Sequence, residues 1–357
     1  MDRNLQDSFL TIVRLGIGHY SINPIKAVEW PALQNFADKQ GLAAIIVDGL
    51  ERLPENQRPS KEVLLKMIGQ VVQNYEYRYE LYRRAIAELA GFYREHGQKM
   101  MILKGYACSL NWPKQKHRPC GDIDIWLFGN QKEGDALINS ERGIRIDKSH
   151  HHHTVFQWGD FTVENHYDFV NVHTHKSSIE LEKIFKELGK DDSYYVDVCG
   201  EKIYLPSPNL HALFLIRHMV SHFAAAEISL RHVLDWGFFV ENHTQEVDWI
   251  WLQNILDKYH MMEIFNLFNA ICVDNLGYRA ELFPSVQFLP DLKEKVLMDI
   301  LEPKYTSAEP AKMIPCLIYK LRRWNGNSWK QNLCYGESRW ENFWMGLYAH
   351  LLKPTMK

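Results

Sequence analysis

Apolar residues recur at three- and four-residue steps in the first part of the chain, and this spacing predicts helices. The longest such run lies in residues 63–96, where apolar and aromatic side chains predict one long helix that ends near Gly97. Gly41 interrupts an earlier helical pattern in residues 30–50. We therefore expect a helical N-terminal segment over residues 1–97.

Short apolar or alternating runs replace this spacing in the middle of the chain, as is typical of β-strands. We predict strands in residues 98–105, 122–128, 153–158, 161–169 and 201–206. Helix-like stretches at 107–112 and 129–140 separate some of them. This alternation predicts an α/β segment over residues 98–206.

Helical spacing returns in the last part of the chain, and prolines near 206 and in 303–310 mark boundaries. We therefore expect a helical C-terminal domain over residues 207–357. The final stretch WENFWMGLYAHLLKP is amphipathic and rich in tryptophan. We interpret it as a helix that closes a core, because it carries Glu341 and lacks the basic face of a membrane-surface helix.

The composition is that of an ordinary globular protein, with 46% hydrophobic and 24% charged residues among 357. A net charge of -3 gives no overall attraction to nucleic acid. The six cysteines form no C-x-x-C pair, and the first residues lack the pattern of a secretory signal. We expect reduced thiols, a cytoplasmic location and no membrane span, since no run reaches roughly 18 apolar residues.

Two aspartates interrupt a strongly apolar run in the stretch RPCGDIDIWLF. Strand alternation places Asp122 and Asp124 on one face and Ile123 and Ile125 on the other. A carboxylate in an apolar setting is costly unless a partner or a metal ion compensates it. An edge strand with one wet face and a metal-binding strand both fit this pattern, and the neighbouring motifs favour the second.

A glycine turn precedes this strand in the stretch LKGYACS. Gly105, between an apparent strand and a helix, lets phosphate oxygens approach backbone N–H groups. Lys104 and Ser109 add a positive charge and a hydroxyl group nearby. The turn therefore predicts a phosphate contact.

A third carboxylate, Glu164, shares a strand face with His166 in the alternating stretch FTVENHY. We expect Asp122, Asp124 and Glu164 to converge in one cleft, with the Gly105 turn at its rim. Such an arrangement forms a two-metal site, in which cations clamp the attacking and leaving oxygens and neutralise the charge of a triphosphate. Because like charges repel in the absence of metal, neutralising an acid is expected to leave stability unchanged or raised.

The motifs LKGYA, RPCGDIDI and VENH, in this order, resemble those of the DNA polymerase beta-like nucleotidyltransferase superfamily. More closely, they are similar to the bacterial family called uncharacterised nucleotidyltransferase, whose members read LKG, R-x-x-G-D-[IV]-D and [VI]-E-x-H. The likeness continues in W-x-x-L-x-x-x-A at residues 30–37 and in H-x-x-x-H and L-R-x-x-x-D within residues 218–235. It spans most of residues 25–240 and implies an α+β fold, with a polymerase beta-like nucleotidyltransferase core, a small mixed sheet and flanking N- and C-terminal helical segments.

The resemblance also implies roles for individual residues. The catalytic and metal-binding residues would be Asp122, Asp124 and Glu164, with Glu164 holding the metal that activates the acceptor. The predicted nucleotide-binding residues are Lys104, Gly105, Ser109, Arg118 and Gly121. The superfamily usually has Gly or Ser after the turn glycine, whereas this chain has Tyr106, so the phosphate contact is expected to differ.

Several histidines leave more than one interpretation open. His218 and His222 share a helix face, but without H-E-x-x-H a zinc hydrolase is disfavoured. Together with Arg231 and Asp235 they are predicted either to contact substrate from the cleft or to pack, and Arg231 and Asp235 also have the spacing of a helix ion pair. His166 either orients a reacting group or packs across strands.

The run HHHH at residues 150–153 also allows two interpretations. Successive side chains on a strand point to opposite faces, so only some of these four histidines could reach a site. We favour a solvated loop over a metal cluster.

The function that follows is the transfer of a nucleoside monophosphate from a nucleoside triphosphate to a hydroxyl or phosphate, with Mg²⁺ or Mn²⁺ as cofactor and release of pyrophosphate. The acceptor is open among a small molecule, a sugar phosphate, RNA and protein. One alternative is a non-catalytic nucleotide-binding regulatory module on the same fold. Another is a scaffold that uses its helical surfaces and needs no metal ion.

Overall fold

The computed structural model describes residues 3–19, 25, 28–286, 289–306 and 308–352. The helices are α1 (Arg3–Gly16), α2 (Trp30–Gln40), α3 (Ala43–Glu51), α4 (Lys61–Val71), α5 (Arg78–Glu95), α6 (Tyr106–Ser109), α7 (Gln131–Arg142), α8 (Lys176–Leu188), α9 (Pro208–Ala225), α10 (Leu230–His243), α11 (Trp249–Lys258), α12 (Met262–Ala270), α13 (Pro290–Leu301), α14 (Met313–Gly326), α15 (Ser328–Cys334) and α16 (Arg339–Leu352). The strands are β1 (Met101–Ile102), β2 (Ile123–Trp126), β3 (His153–Trp158), β4 (Phe161–His166), β5 (Tyr195–Val198) and β6 (Glu201–Tyr204).

The N-terminal helices follow the apolar spacing of the sequence. Gly41 ends α2 in the left-handed conformation, with φ 68°, and α3 begins two residues later. The predicted long helix is present as α4 and α5, joined by the π-helical stretch Val72–Tyr77. Ser60 caps its start by accepting a hydrogen bond from the backbone N–H of Val63.

The six strands form one mixed sheet in the order β3-β4-β2-β1-β6-β5. β2 runs parallel to β4, and β1 runs parallel to β6. The remaining neighbours, β3 with β4, β1 with β2 and β5 with β6, are antiparallel. A small mixed sheet among many helices is the α+β arrangement that the sequence predicts.

The two faces of the central strands differ in character. One face packs against α5 in an apolar cluster that contains Tyr82, Ile86, Phe92, Ile123, Ile125 and Val163. The other face carries the polar residues of the same strands, Asp124 and Glu164 among them. A second, larger apolar cluster joins the N-terminal helices, α8 and the C-terminal helices. The alternation of β2 and β4 thus separates a dry face from a polar one.

Two elements were missing from the sequence prediction, namely α8 and β5. The apolar positions of α8 have helical spacing, since Leu181 and Phe185 are buried four residues apart. β5 is an edge strand with the sequence YVDV, and most of its side chains are exposed. Its sequence therefore shows only a weak alternation of apolar and polar residues. The first predicted strand is also shorter than expected, because only Met101 and Ile102 pair with neighbouring strands.

The C-terminal end differs from its prediction as a core-closing helix. Trp340 and Trp344 of α16 are 63% and 61% exposed, so these two side chains do not close a core. Trp340 instead lies beside Trp324 of α14, with ring centroids 5.3 Å apart. Within the described residues, no helix has the length and apolar character needed to cross a membrane.

Candidate active site

A cavity of about 580 Å³ lies between the polar face of the sheet and helices α9 and α10. This volume falls in the range of small-molecule sites, roughly 300–1,000 Å³. The polar side chains on its sheet side, called the sheet wall below, are Lys104, Asp122, Asp124, His152, His153, Glu164 and His166. Those on its helical side, called the helix wall, are Arg217, His218, Ser221, His222, Arg231, His232 and Asp235.

The strand register brings the predicted carboxylates together. Asp124 on β2 is the direct partner of Glu164 on the parallel strand β4, so both side chains leave the same face of the sheet. Asp122 lies just before β2 and is exposed at the cavity. All three acids therefore line one cavity, with Gly105 and Gly121 beside them.

Asp124 is buried and held by two cationic or proton-donating groups. Its Oδ1 lies 2.6 Å from Nζ of Lys104 and 3.1 Å from Nε2 of His166. Burial alone would raise the pKa of Asp124, but Lys104 and His166 outweigh it and hold this pKa below its usual value. The same contacts raise the pKa of Lys104 and of His166 against the effect of burial.

The pKa of Asp122 is shifted in the opposite direction. Burial, followed by the charges of Glu164 and Asp124, raises its pKa, and Lys104 only partly offsets them. Repulsion by the neighbouring acids therefore contributes to the raised pKa of Asp122, whereas Lys104 and His166 compensate the charge of Asp124.

The Gly105 turn is shaped by a close approach of α5. Gly105 has φ 46°, and a Cβ atom there would lie 2.3 Å from the hydroxyl of Tyr82. That hydroxyl donates a hydrogen bond to the carbonyl oxygen of Asp122, 2.8 Å away. Only glycine fits this position, and its backbone is left open to the cavity. Tyr106 turns away into the apolar cluster and stacks on Tyr79, so it does not obstruct the turn.

The predicted phosphate contact by Ser109 is not supported. Ser109 is buried outside the cavity, where its hydroxyl donates to the carbonyl oxygen of Tyr106 and lies 3.0 Å from the hydroxyl of Tyr79. The cause is the shortness of α6, a single turn of four residues that points Ser109 toward α5.

Arg118 lines the cavity but is tied to a partner. Its Nε and Nη2 donate to the two carboxylate oxygens of Asp235, at 2.8 and 2.9 Å, and Trp112 Nε1 donates to the same carboxylate. The four-residue spacing of Arg231 and Asp235 suggested an ion pair within α10, whereas Asp235 pairs with Arg118 from the loop before β2. This buried bidentate pair fixes the sheet wall against the helix wall.

The helix wall brings the predicted histidines to the cavity. The rings of His218 and His222 are 4.4 Å apart, and burial lowers the pKa of both. Arg231 lines the same wall and packs its side chain against Gly41. These three residues face the carboxylates across the cavity.

The histidines at residues 150–153 do not form a solvated loop, and that interpretation was wrong. His151 and His153 are only 5% and 6% exposed. His153 begins β3 and pairs with His166 across the strands. The side chains of His152 and His153 both line the cavity.

Among the cavity residues that were not predicted from the sequence are Arg217, His175 and Tyr335. Arg217 is 2% exposed and donates to the hydroxyl groups of Tyr335 and Ser178, each 2.9 Å away. The ring of His175 stacks on that of Tyr335, with centroids 3.8 Å apart. An arginine in the apolar run HALFLIRHM was the available signal, since a buried charge needs a partner or a ligand.

The donor set on the sheet wall fits a hard divalent cation. Carboxylate oxygens are the ligands preferred by Mg²⁺ and Mn²⁺. Ligand atoms of Asp124, Glu164 and His166 all lie within 4.8 Å of one another, and Asp122 lines the same wall. These residues could therefore hold such a cation.

A family model described as uncharacterised nucleotidyltransferase matches residues 26–277, which confirms the resemblance drawn from the motifs. No curated protein matches the chain. Among solved structures, the antibiotic-resistance factor ANT(2'')-Ia is similar at 10% identity, over 50% of this chain and 91% of that one, with a TM-score of 0.35. An antigenic nucleotidyltransferase-like protein from Paracoccidioides brasiliensis is similar at 14% identity, over 58% and 94% of the two chains, with a TM-score of 0.34.

Proposed function

Because this chain belongs to the uncharacterised nucleotidyltransferase family, we propose that it transfers a nucleoside monophosphate from a nucleoside triphosphate to an acceptor hydroxyl or phosphate. The acceptor oxygen attacks the α-phosphorus, the bond from that phosphorus to the bridging oxygen breaks, and pyrophosphate leaves. The proton of an acceptor hydroxyl passes to a base on the sheet wall.

The observation that carries this proposal is the register of β2 and β4. It sets Asp124 beside Glu164 on the polar face, and Asp122, two residues before Asp124, lines the same cavity. A cleft with three carboxylates and a glycine turn suits a cation-bound triphosphate better than a neutral ligand.

The residues of the wall have separate roles in this proposal. Asp122, Asp124 and Glu164 hold the cation, which we propose to be Mg²⁺ or Mn²⁺ and which would neutralise charge on the transferring phosphate. With a cation bound at Asp124, the ammonium of Lys104, which now contacts that carboxylate, would be available to a phosphate oxygen. The open backbone at Gly105 and Gly121 leaves space for the phosphates.

Arg118 acts as a positioning residue, because Asp235 occupies two of its donors. It keeps the loop before β2 in place at the edge of the cavity. Glu164 is the group available to accept the proton of the acceptor, and His166, 3.6 Å from it, orients its carboxylate.

The proposal is tested by incubating the full chain with each nucleoside triphosphate labelled at the α-phosphate, Mg²⁺ or Mn²⁺, and a cell lysate. We expect label on an acceptor and release of pyrophosphate. Asp124→Asn should lower the rate by at least about 100-fold, because it weakens the charge stabilisation supplied at the reacting phosphate.

Asp197→Asn is the matched control, since Asp197 is an exposed carboxylate on β5 outside the cavity, and it should transfer at the wild-type rate. Equal rates for Asp124→Asn and wild type would overturn the assignment of the site. Nucleotide binding by the wild type without transfer from any triphosphate would instead support the non-catalytic regulatory module.

A further inference from the structure

Three imidazoles meet beside the carboxylates of the sheet wall. His152, His153 and His166 each offer a ring nitrogen within 4.8 Å of the others. His153 and His166 are direct partners across β3 and β4. The backbone also fixes His152, because its carbonyl oxygen accepts hydrogen bonds from the N–H groups of Tyr167 and Asp168, both at 3.1 Å. The cluster is therefore built into the edge of the sheet.

Several nitrogens of this cluster are buried without a hydrogen bond among the described residues. They are both ring nitrogens of His153 and Nδ1 of His152. His153 is 6% exposed, so water reaches it poorly. Buried polar side-chain atoms in native proteins nearly always have a partner. These nitrogens therefore point to a ligand that is not part of the chain.

His166 is oriented in the way that metal-binding histidines usually are. Its Nδ1 lies 3.2 Å from the carbonyl oxygen of Asp168, which can only accept, so Nδ1 carries a hydrogen. Its Nε2 lies 3.1 Å from Oδ1 of Asp124 at the cavity, and a metal ion bound at Nε2 would take the place of the proton in that contact, with the carbonyl group fixing the ring for coordination. Glu164 lies between the two strands, with one oxygen 3.6 Å from Nε2 of His166 and the other 3.7 Å from Nε2 of His153. Ligand atoms around a tetrahedral zinc ion are about 3.3 Å apart.

We propose that His152, His153 and His166 bind one divalent transition-metal ion, such as Zn²⁺, with Glu164 as the fourth ligand. Imidazole nitrogens select this class of metal, whereas Mg²⁺ prefers oxygen ligands. The site shares Glu164 with the proposed nucleotidyl-transfer site, and in that sense it rests on the proposed function. Binding of the ion itself does not require that the chain transfer nucleotides.

The experiment uses the full chain purified without a polyhistidine tag and stripped of metal with a chelator. Co²⁺ is titrated in the presence of excess Mg²⁺, and its visible absorption reports tetrahedral coordination. We expect one equivalent of Co²⁺, which Zn²⁺ displaces. His153→Ala should weaken Co²⁺ binding by at least about tenfold. His152→Ala tests the same ligand set at a less buried position, in case His153→Ala fails to fold.

His173→Ala is the matched control, because His173 is an exposed histidine in the loop after β4, and it should bind Co²⁺ as the wild type does. Equal Co²⁺ affinity for His152→Ala, His153→Ala and His173→Ala would overturn the proposal, as would the absence of Co²⁺ binding when Mg²⁺ is present. Co²⁺ binding without nucleotidyl transfer would contradict only the proposed function. Transfer with Mg²⁺ in a protein that binds no Co²⁺ would contradict only this inference.

Discussion

The sheet wall and the helix wall face each other across one cavity but balance their charges differently. On the sheet wall, three carboxylates stand against the single ammonium of Lys104, so negative charge is in excess. On the helix wall, Asp235 is already paired with Arg118. Arg217 and Arg231 have no ion pair among the described residues, which leaves positive charge in excess there. These charges would favour a cation beside the sheet wall and an anion beside the helix wall.

The charged groups of the two walls are thus of two kinds. Some pair with each other within the fold, and others keep a charge that their neighbours do not balance. The Arg118–Asp235 pair is buried, bidentate and complete, so it contributes to stability as it stands. Asp122 forms no ion pair among the described residues, and partial burial together with the charges of Glu164 and Asp124 raises its pKa, so we expect its charge to cost stability in the folded protein. Replacing an aspartate by asparagine should therefore affect the stability of the protein differently on the two walls.

The largest effect is expected from that substitution. Asp235→Asn should lower the free energy of unfolding by about 3–5 kcal/mol, because it leaves the buried guanidinium of Arg118 without its counter-charge. Asp122→Asn should leave the stability of the metal-free protein unchanged or raised, since it relieves repulsion from Glu164 and Asp124. Urea unfolding of both variants measures the difference.

Added Mg²⁺ sharpens the same comparison. It should stabilise wild type and Asp235→Asn by mass action and stabilise Asp122→Asn less, because a cation ligand has been lost. If Asp122→Asn loses as much stability as Asp235→Asn, the distinction between the two walls does not hold.

A pH effect of intermediate size is expected at Glu182 of α8, under the loop that joins β4 to α8. Its carboxylate accepts hydrogen bonds from the backbone N–H groups of Phe169 and Val170, which line the cavity. Burial raises the pKa of Glu182 from 4.5 to about 7, although these hydrogen bonds oppose it. The folded protein then binds more protons than the unfolded chain between these pH values, so stability should fall by about 3 kcal/mol from pH 4.5 to pH 7.

Glu182→Gln cannot ionise and should lack this component of the pH dependence, as measured by urea unfolding from pH 4.5 to 8. Glu187→Gln, an exposed position on the same helix, is the control and should keep the wild-type slope. An unchanged slope in Glu182→Gln would show that its carboxyl group does not couple this loop to pH.

The sheet wall could largely be predicted from the sequence because its geometry is local. Period-two alternation alone puts Asp122 and Asp124 on one face, and the same rule puts Glu164 with His166. The motifs then supplied the chemistry. Ser109 was misplaced because the length of α6, and hence the direction of its last residue, depends on packing against α5.

The helix wall could be predicted only in part because its contacts join distant segments. Asp235 is separated from Arg118 by 117 residues, and Arg217 from Tyr335 by 118. Helical spacing suggested that Asp235 pairs with Arg231. Arg231 is close to Asp235 along the chain, but Arg118 is the residue that pairs with Asp235 in space. The burial of His153 escaped prediction for another reason, because a run of four histidines does not reveal that the first residue of β3 pairs with His166 beside the cavity.

The smallest effect is expected from the side chains of the helix wall that make no ion pair among the described residues. His218→Ala, His222→Ala and Arg231→Ala combined should change the preference among nucleoside triphosphates or acceptors by up to about tenfold, or about 1.4 kcal/mol. Because they line the cavity opposite the acids, we expect them to contact substrate away from the reacting phosphate and to change the KM more than the maximal rate. Competition between labelled triphosphates measures the preference, with His243→Ala, on α10 but outside the cavity, as control. A folded triple variant with wild-type selectivity would assign these three side chains to packing and leave recognition of the substrate to Arg217 and the sheet wall.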